Sequence, residues 1–244
     1  MKHNLLLMII IIILFLVLFM NKEECFINKE ECDRLNIIHF NYSKKPKLVI
    51  IGGVHGNEYG PVYGIEKFIN NNIKRFNKGN VIFIPRVNNI GVLRNTRYYD
   101  CVNTEYDINR HFDSDIKVNS IEDKIINIIK DADYVIDFHE GYDFHKLYNT
   151  SIGSTISDTS SILSKKVSKY LVLNINKYIK EDYKKFTLIQ NKEEIKNSLR
   201  YYCDKNNINY SLVEITGQLN KQPLETRILQ TNIILNYFFK YFKY

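Results

Sequence analysis

From Lys47 onward, short runs of β-branched and apolar residues alternate with longer amphipathic stretches. The short runs predict buried strands, and stretches with apolar positions three and four residues apart predict helices. Such alternation is typical of an α/β fold with a mainly parallel mixed sheet flanked by helices. The predicted strands are 47–52, 80–85, 133–138, 186–190 and 210–215, and the predicted helices are 61–76, 119–131, 158–171, 192–206 and 223–240.

The N-terminus has a different pattern, because residues 5–20 are apolar without interruption and predict a hydrophobic helix. Their number lies between that of a signal-peptide core and that of a membrane-spanning helix, and no small-residue cleavage site follows. We therefore expect a signal anchor, or alternatively a cleaved signal peptide, over residues 1–21. Residues 22–43 are then a juxtamembrane segment and residues 44–244 the folded domain.

Lys2 and His3 precede the apolar segment and favour an N-terminus in the cytoplasm. This orientation predicts a membrane-anchored protein whose folded domain lies on the non-cytoplasmic side, or a secreted protein if the segment is cleaved. Cys25 and Cys32 are close enough in sequence to pair in an oxidising compartment, and the sequence leaves that pairing open.

A formal net charge of +7 raises the question of a nucleic-acid partner. Lysine is spread along the chain and interleaved with Asp and Glu, and no basic tract carries stacking aromatic residues. We therefore expect no nucleic-acid binding. The four cysteines show no CxxC spacing, which argues against a zinc ribbon or a redox pair.

Three predicted strands lead to side chains that can bind a metal ion or move a proton. Strand 47–52 runs into a glycine-rich turn with His55 and Glu58 three residues apart, strand 133–138 is followed by His139, and strand 210–215 carries Glu214. Alone, each has an ordinary alternative as a turn histidine or a salt-bridge glutamate. Since ligands gather beyond the carboxyl ends of parallel strands, we expect these four side chains to lie together.

Two imidazoles and one carboxylate leave a fourth position on Zn²⁺ for water, which is typical of catalytic rather than structural zinc. Zinc is inferred here from the ligand type, and other divalent cations also fit a His–Glu–His set. Between the first two ligands and the third, residues 88–112 read as a long loop rich in Asn, Arg and Tyr. Loops of that length inside a domain are typically functional or disordered.

At these positions the chain resembles the zinc carboxypeptidase superfamily, and most closely its succinylglutamate desuccinylase/aspartoacylase family. The resemblance extends over roughly residues 47–218, with the motifs in the family's order. One departure is Asn88-Asn89, where the family usually has Asn-Pro. The matching segments are His55-Gly56-Asn57-Glu58, Thr96-Arg97-Tyr98, Asp107-Ile108-Asn109-Arg110-His111-Phe112, Asp137-Phe138-His139 and Val213-Glu214-Ile215.

The resemblance implies a zinc carboxypeptidase-like fold that holds one Zn²⁺ ion through His55, Glu58 and His139. It also implies that Glu214 is the general base, which takes a proton from water and passes it to the leaving amine. Asp137 or Glu140 is a candidate acceptor that orients a metal-ligating histidine, and His145 is a further candidate for a supporting position.

The same resemblance gives the arginines their expected roles. Asn109 and Arg110 are expected to bind the substrate carboxylate, since a guanidinium presents a planar fork that matches it. Arg97 is expected to stabilise the oxyanion that develops during the reaction, or to bind a second carboxylate.

The expected function is therefore that of a zinc-dependent hydrolase cleaving an amide bond adjacent to a free carboxylate. The family's further β-rich domain has no counterpart in the residues after Glu214, so we expect an open pocket. A small acylated amino acid and a peptide C-terminus both remain candidate substrates. The alternative is a catalytically inactive, membrane-anchored metal- or ligand-binding protein of the same fold, and the presence of Glu214 argues against it. The sequence does not indicate the oligomeric state.

Overall fold

A computed structural model describes residues 34–41, 45–76, 79–99, 105–114, 121–190 and 195–244. The predicted hydrophobic helix at residues 5–20 and the pairing of Cys25 with Cys32 lie outside these residues and stay predictions. Within the described part of the chain, no helix is both long enough and apolar enough to cross a membrane.

Within the residues that the structure describes, seven strands form one mixed sheet in the order β1-β3-β2-β4-β7-β5-β6. The central strands β3, β2, β4 and β7 are parallel, whereas β1 and β5 join this group in antiparallel pairings. The predicted α/β class with a mixed sheet is confirmed. The strands are β1 Ile38–Asn41, β2 Lys47–Gly52, β3 Asn80–Ile84, β4 Tyr134–Gly141, β5 Thr155–Asp158, β6 Thr187–Ile189 and β7 Tyr210–Thr216.

Helices cover both faces of this sheet. The α-helices are α1 Tyr59–Asn72, α2 Asn89–Arg94, α3 Ile121–Ile129, α4 Ile162–Ile175, α5 Leu199–Lys205 and α6 Leu224–Tyr241. Single 3₁₀ turns lie at Ile73–Phe76, Ile108–Arg110, Asn176–Tyr178, Asp182–Lys184 and Gln218–Asn220.

Alternate residues of the central strands pack into two apolar cores, one on each side of the sheet. In β2, Leu48 and Ile50 join a core shared with α1, α4 and α6. Val49 and Ile51 join a second core shared with α2, α3 and α5. Burial on both faces explains why these strands read as continuous apolar runs in the sequence.

Several predicted boundaries are wrong. The predicted helix 158–171 starts too early, because residues 155–158 form β5. The helix begins at Ile162, where the Ser161 hydroxyl caps the amide of Ser164. Helix α5 begins at Leu199 rather than at 192, after a similar cap by Ser198. The loop predicted over 88–112 contains α2, and the edge strand β1 was not predicted.

Candidate metal centre

Three side chains with metal-ligand chemistry converge at the carboxyl ends of β2 and β4. These strands are parallel neighbours, so the turn after β2 lies beside the end of β4. His55, Glu58 and His139 are all buried, and one ligand atom from each lies within 4.8 Å of the others. These are the three residues predicted as metal ligands.

The separations between these atoms fit a metal ion. The two Nδ1 atoms of His55 and His139 lie 3.2 Å apart, and the Glu58 carboxylate lies 2.8 Å from the first and 3.0 Å from the second. Ligand atoms about 2 Å from a tetrahedral zinc lie roughly 3.3 Å from one another. Two imidazole nitrogens and a carboxylate facing one point at this spacing are therefore a suitable donor set.

A carboxylate accepts a hydrogen bond from the far nitrogen of each imidazole. His55 Nε2 lies 3.1 Å from Asp107 Oδ1, and His139 Nε2 lies 3.1 Å from Asp137 Oδ2. Such contacts fix the ring orientation and leave Nδ1 as the ligand atom. The sequence offered Asp137 or Glu140 as the acceptor for a histidine ring, and the structure shows that it is Asp137. The contact of Asp107 with His55 was not predicted.

The charged groups of the cluster shift one another's pKa values. Burial would raise the pKa of Glu58, but His55 and His139 outweigh this effect and hold that pKa well below its usual range. Burial would lower the pKa of His139, yet Asp137 and Glu58 raise it well above the ordinary value. Oppositely charged neighbours therefore favour the charged forms of both buried groups.

Glu214 lies beside the cluster on the next strand. It is paired in register with His139 across β4 and β7, so both side chains emerge on the same face of the sheet. Burial raises the pKa of the Glu214 carboxyl to about 8. Its side chain is buried and lines the same cavity as the ligand cluster.

The predicted polar residues of the loop line the same cavity. Arg97 donates to Asp107 at 3.0 Å and to Glu58 at 3.4 Å, so its guanidinium is held next to the ligand cluster. Asn109 accepts a hydrogen bond from the amide of Leu199 at 2.9 Å, which leaves its NH₂ group to donate elsewhere. Arg110 is partly exposed and donates to the carbonyl of Asn109.

All seven predicted site residues line one cavity of about 760 Å³, including its solvent-open mouth. The cavity extends past Glu214 to a polar side that the sequence did not predict. Ser157, Ser198, Arg200 and Tyr210 form this side. Arg200 is buried and donates from Nε to the carbonyl of Asp158 at 3.0 Å.

Two further candidates lie elsewhere. His145 does not reach the ligand cluster, because its ring bonds the carbonyl of Ser151 at 2.7 Å, so its predicted supporting position is wrong. Glu140 points away from His139, as expected for the next residue of a strand, and pairs with Arg227. Gln218, four residues after Glu214, donates to Glu58 at 3.2 Å and was not predicted.

Comparison with known proteins finds a family match over part of the chain and a shared fold. The sequence profile of the succinylglutamate desuccinylase/aspartoacylase catalytic domain matches residues 44–161. The family resemblance predicted from the motifs is thereby confirmed. A comparison with curated proteins finds no match.

Solved structures share the fold at low sequence identity. Product-bound Csd4, a cell shape determinant protein of Helicobacter pylori, has a TM-score of 0.71 at 17% identity, and the alignment covers 85% of this chain and 55% of Csd4. The chain therefore spans about half the length of that protein. A candidate metallopeptidase of Shewanella amazonensis SB2B has a TM-score of 0.65 at 18% identity, with 85% and 82% of the two chains covered.

Proposed function

Because residues 44–161 match the succinylglutamate desuccinylase/aspartoacylase catalytic domain, we propose that this chain is a zinc-dependent hydrolase. The proposed reaction is cleavage of an amide bond next to a free carboxylate. One observation carries the proposal: a buried His–Glu–His ligand set, an adjacent glutamate and two arginines all line a single cavity.

His55, Glu58 and His139 would hold the ion through the atoms that already converge. A zinc ion in this position supplies Lewis acidity toward the scissile carbonyl and makes water more acidic. Asp107 and Asp137 keep the two imidazoles in the orientation that this binding requires.

Glu214 acts as the general base in this proposal. Its carboxylate takes the proton of the attacking water and delivers it to the nitrogen of the leaving amine. Its side chain is buried and lines the cavity, and its register with His139 brings it beside the ligand cluster.

Arg110 and the NH₂ group of Asn109 bind the free carboxylate of the substrate through charge-assisted hydrogen bonds. Arg97 stabilises the negative charge that develops on the carbonyl oxygen. Its contacts with Asp107 and Glu58 fix the guanidinium before substrate arrives. A carboxylate-bearing substrate is thus recognised on one side of the cleaved bond.

Both an N-acyl amino acid and a peptide with a free C-terminus meet these requirements. The related structures favour testing peptides as well, since Csd4 is described as a D,L-carboxypeptidase and has been crystallised with a tripeptide and with mDAP. We propose a small peptide or acylated amino acid as the substrate class.

The test measures bound metal and hydrolysis on the full 244-residue chain with a panel of N-acyl amino acids and carboxy-terminal peptides. Glu214→Gln should keep near-stoichiometric zinc and lose hydrolysis by about 100-fold or more. Glu225→Gln, a change of the same type on the exposed start of α6, should keep both. Absence of bound metal from the wild-type chain would refute the ligand assignment, and bound metal without hydrolysis would refute the enzymatic role.

A further inference from the structure

A buried ion pair lies directly behind the ligand cluster. Glu140 follows His139 on β4, and its side chain emerges on the opposite face of the sheet. Arg227 of α6 places Nη1 3.0 Å from both carboxylate oxygens of Glu140, and both side chains are almost fully buried. An ion pair removed from water in this way is costly unless its remaining polar groups are also satisfied.

Further contacts satisfy most of these groups, and among the described residues only Nε of the pair is buried without a hydrogen-bond partner. The Arg227 guanidinium donates to the side chain of Asn220 at 3.1 Å and stacks over the ring of Tyr59 at 5.0 Å. The Glu140 carboxylate also accepts from the backbone amide of Gly60 at 3.1 Å. The pair therefore joins β4, the first turn of α1 and the start of α6.

Glu140 supports the ligand Glu58 through two separate hydrogen bonds. The backbone amide of Glu140 donates to Glu58 Oε2 at 3.0 Å, while its side chain holds Gly60, two residues after Glu58. A carboxylate at the first turn of α1 is also favoured by the helix dipole. Glu140 thus fixes both the carboxylate of the ligand and the backbone that carries it.

The packing around Glu140 leaves little freedom. A Cβ atom on Gly60 would lie 2.2 Å from Glu140 Oε1, and one on Gly217 would lie 2.4 Å from the Glu140 carboxyl carbon. Only glycine allows such a close approach of the backbone at these two positions. The carboxylate is therefore enclosed between the backbone of α1 and that of the turn after β7.

Arg227 also stabilises the turn that carries Gln218. Leu219 and Asn220 both have a φ of 55°, which is uncommon for residues other than glycine. Asn220 is held there by Arg227 and by the hydroxyl of Tyr59. The turn brings the Gln218 amide to Glu58 Oε1 at 3.2 Å and to the carbonyl of Glu140 at 2.5 Å.

We propose that the Arg227–Glu140 ion pair is a positioning device that holds the Glu58 carboxylate in its metal-binding geometry. Arg227 touches neither the metal position nor the substrate cavity and acts through Glu140 and the Gln218 turn. The proposal rests on the proposed function in one respect, the binding of a metal ion by Glu58.

The chain supplies a matched control in the Arg86–Glu66 pair. Arg86 contacts both Glu66 oxygens, at 2.6 and 3.1 Å, and lies 5.9 Å from the ring of Tyr63. It has the same chemistry as Arg227, also involves α1, and does not line the cavity. Arg86→Met therefore removes an Arg–Glu ion pair of the same type that is more exposed than the Arg227–Glu140 pair and does not contact Glu58.

The experiment measures zinc affinity by competition with a chelator, on the full chain and on Arg227→Met, Arg227→Lys and Arg86→Met. The visible spectrum of the Co²⁺-loaded proteins reports the ligand geometry independently of activity. We expect Arg227→Met to lose about 10- to 100-fold in zinc affinity with an altered spectrum, and Arg227→Lys to lose less. Arg86→Met should match the wild type in both measurements.

Folding is checked by circular dichroism before each titration. If Arg227→Met does not fold because Glu140 is left as an unpaired buried charge, the double variant Arg227→Met/Glu140→Gln removes that charge and carries the measurement. The proposal would be overturned if a folded protein carrying Arg227→Met, as the single or the double variant, bound zinc with wild-type affinity and showed an unchanged Co²⁺ spectrum. Failure of the wild-type chain itself to bind zinc would instead refute the proposed function, so the two failures are distinguishable.

Discussion

At the scale of single residues, the most informative contacts are those behind the proposed ligands. Asp137 accepts from the ring of His139 and also from the hydroxyl of Tyr210 at 2.9 Å. Asp107 accepts from the ring of His55 and also from Arg97. Each imidazole is therefore oriented by a carboxylate that is itself held in place, which favours one tautomer and one ligand nitrogen.

Asp137→Asn should weaken zinc binding by about 10- to 100-fold, because the amide no longer provides a charged acceptor for the His139 ring. Asp133→Asn is the matched control, since Asp133 immediately precedes the same strand and accepts from the amide of Lys47 at 2.7 Å, away from the cluster. Chelator competition measures both. Equal affinities for the two variants would show that Asp137 does not support the ligand.

The buried carboxyl of Glu214 predicts a pH dependence in the metal-free protein. Its pKa is raised by burial to about 8. The folded state therefore binds a proton that the unfolded chain releases at lower pH, so Glu214 stabilises the fold at low pH, and this contribution is lost as the pH rises toward 8.

Glu214→Gln removes this titration, so the stability of the wild type relative to this variant should fall as the pH rises from acidic values toward 8. Urea unfolding of both chains in the presence of chelator, over a pH series, gives the difference. Glu225→Gln is expected to leave the pH dependence of the wild type unchanged. A difference between wild type and Glu214→Gln that does not change with pH would contradict the burial argument.

The sequence predicted single residues well where a motif and a strand end coincide. His55, His139 and Glu214 each follow or end an apolar run, so their position at one edge of the sheet could be predicted. The contacts of Arg227 and Gln218 with the neighbourhood of Glu58 could not, because they depend on how the turn after β7 folds back. No local pattern encodes that contact.

At the scale of elements, the turn after β2 is packed against α2. A Cβ atom on Gly56 would lie 2.0 to 2.4 Å from backbone atoms of Gly91. Asn88 precedes helix α2, and its side chain caps the amide of Gly91 and also donates to the carbonyl of Tyr98. The turn that carries His55 and Glu58 is thus fixed against the segment that leads to Arg97.

Gly56→Ala should destabilise the protein by about 1 to 3 kcal/mol and weaken zinc binding, because backbone atoms on both sides must move apart. Gly79→Ala is the control: the three atoms nearest to its Cβ would all belong to the side chain of Tyr244 rather than to backbone. Thermal unfolding and chelator titration report the two effects. A Gly56→Ala variant as stable as Gly79→Ala would show that this contact is not required.

The errors in the predicted elements have a common physical cause. Residue 158 was assigned to the following amphipathic segment and residues 155–157 to no element, but all four pair with β7 in the sheet. Helix α2 has only six residues and was missed because so short an element shows little periodicity. Long helices and buried central strands were predicted because their periodicity extends over many residues.

At the scale of the whole molecule, the proposed centre joins segments far apart in the chain. His55 and Glu58 come from the turn after β2, whereas His139 comes from β4, 84 residues after His55. A bound ion would therefore act as a link between the two halves of the parallel sheet.

Removal of the metal should lower the thermal stability of the whole domain. A ligand present at about 100 times its dissociation constant stabilises the folded state by about 2.7 kcal/mol. For a domain of this size that corresponds to a decrease in Tm of roughly 5 to 10 °C when a chelator is added. His55→Gln removes one proposed ligand, so its Tm should be lower than that of the loaded wild type and insensitive to chelator. Readdition of zinc should restore the Tm of the wild type and leave that of His55→Gln unchanged. Equal Tm values for the wild type with and without chelator would contradict a metal link between the turn after β2 and β4.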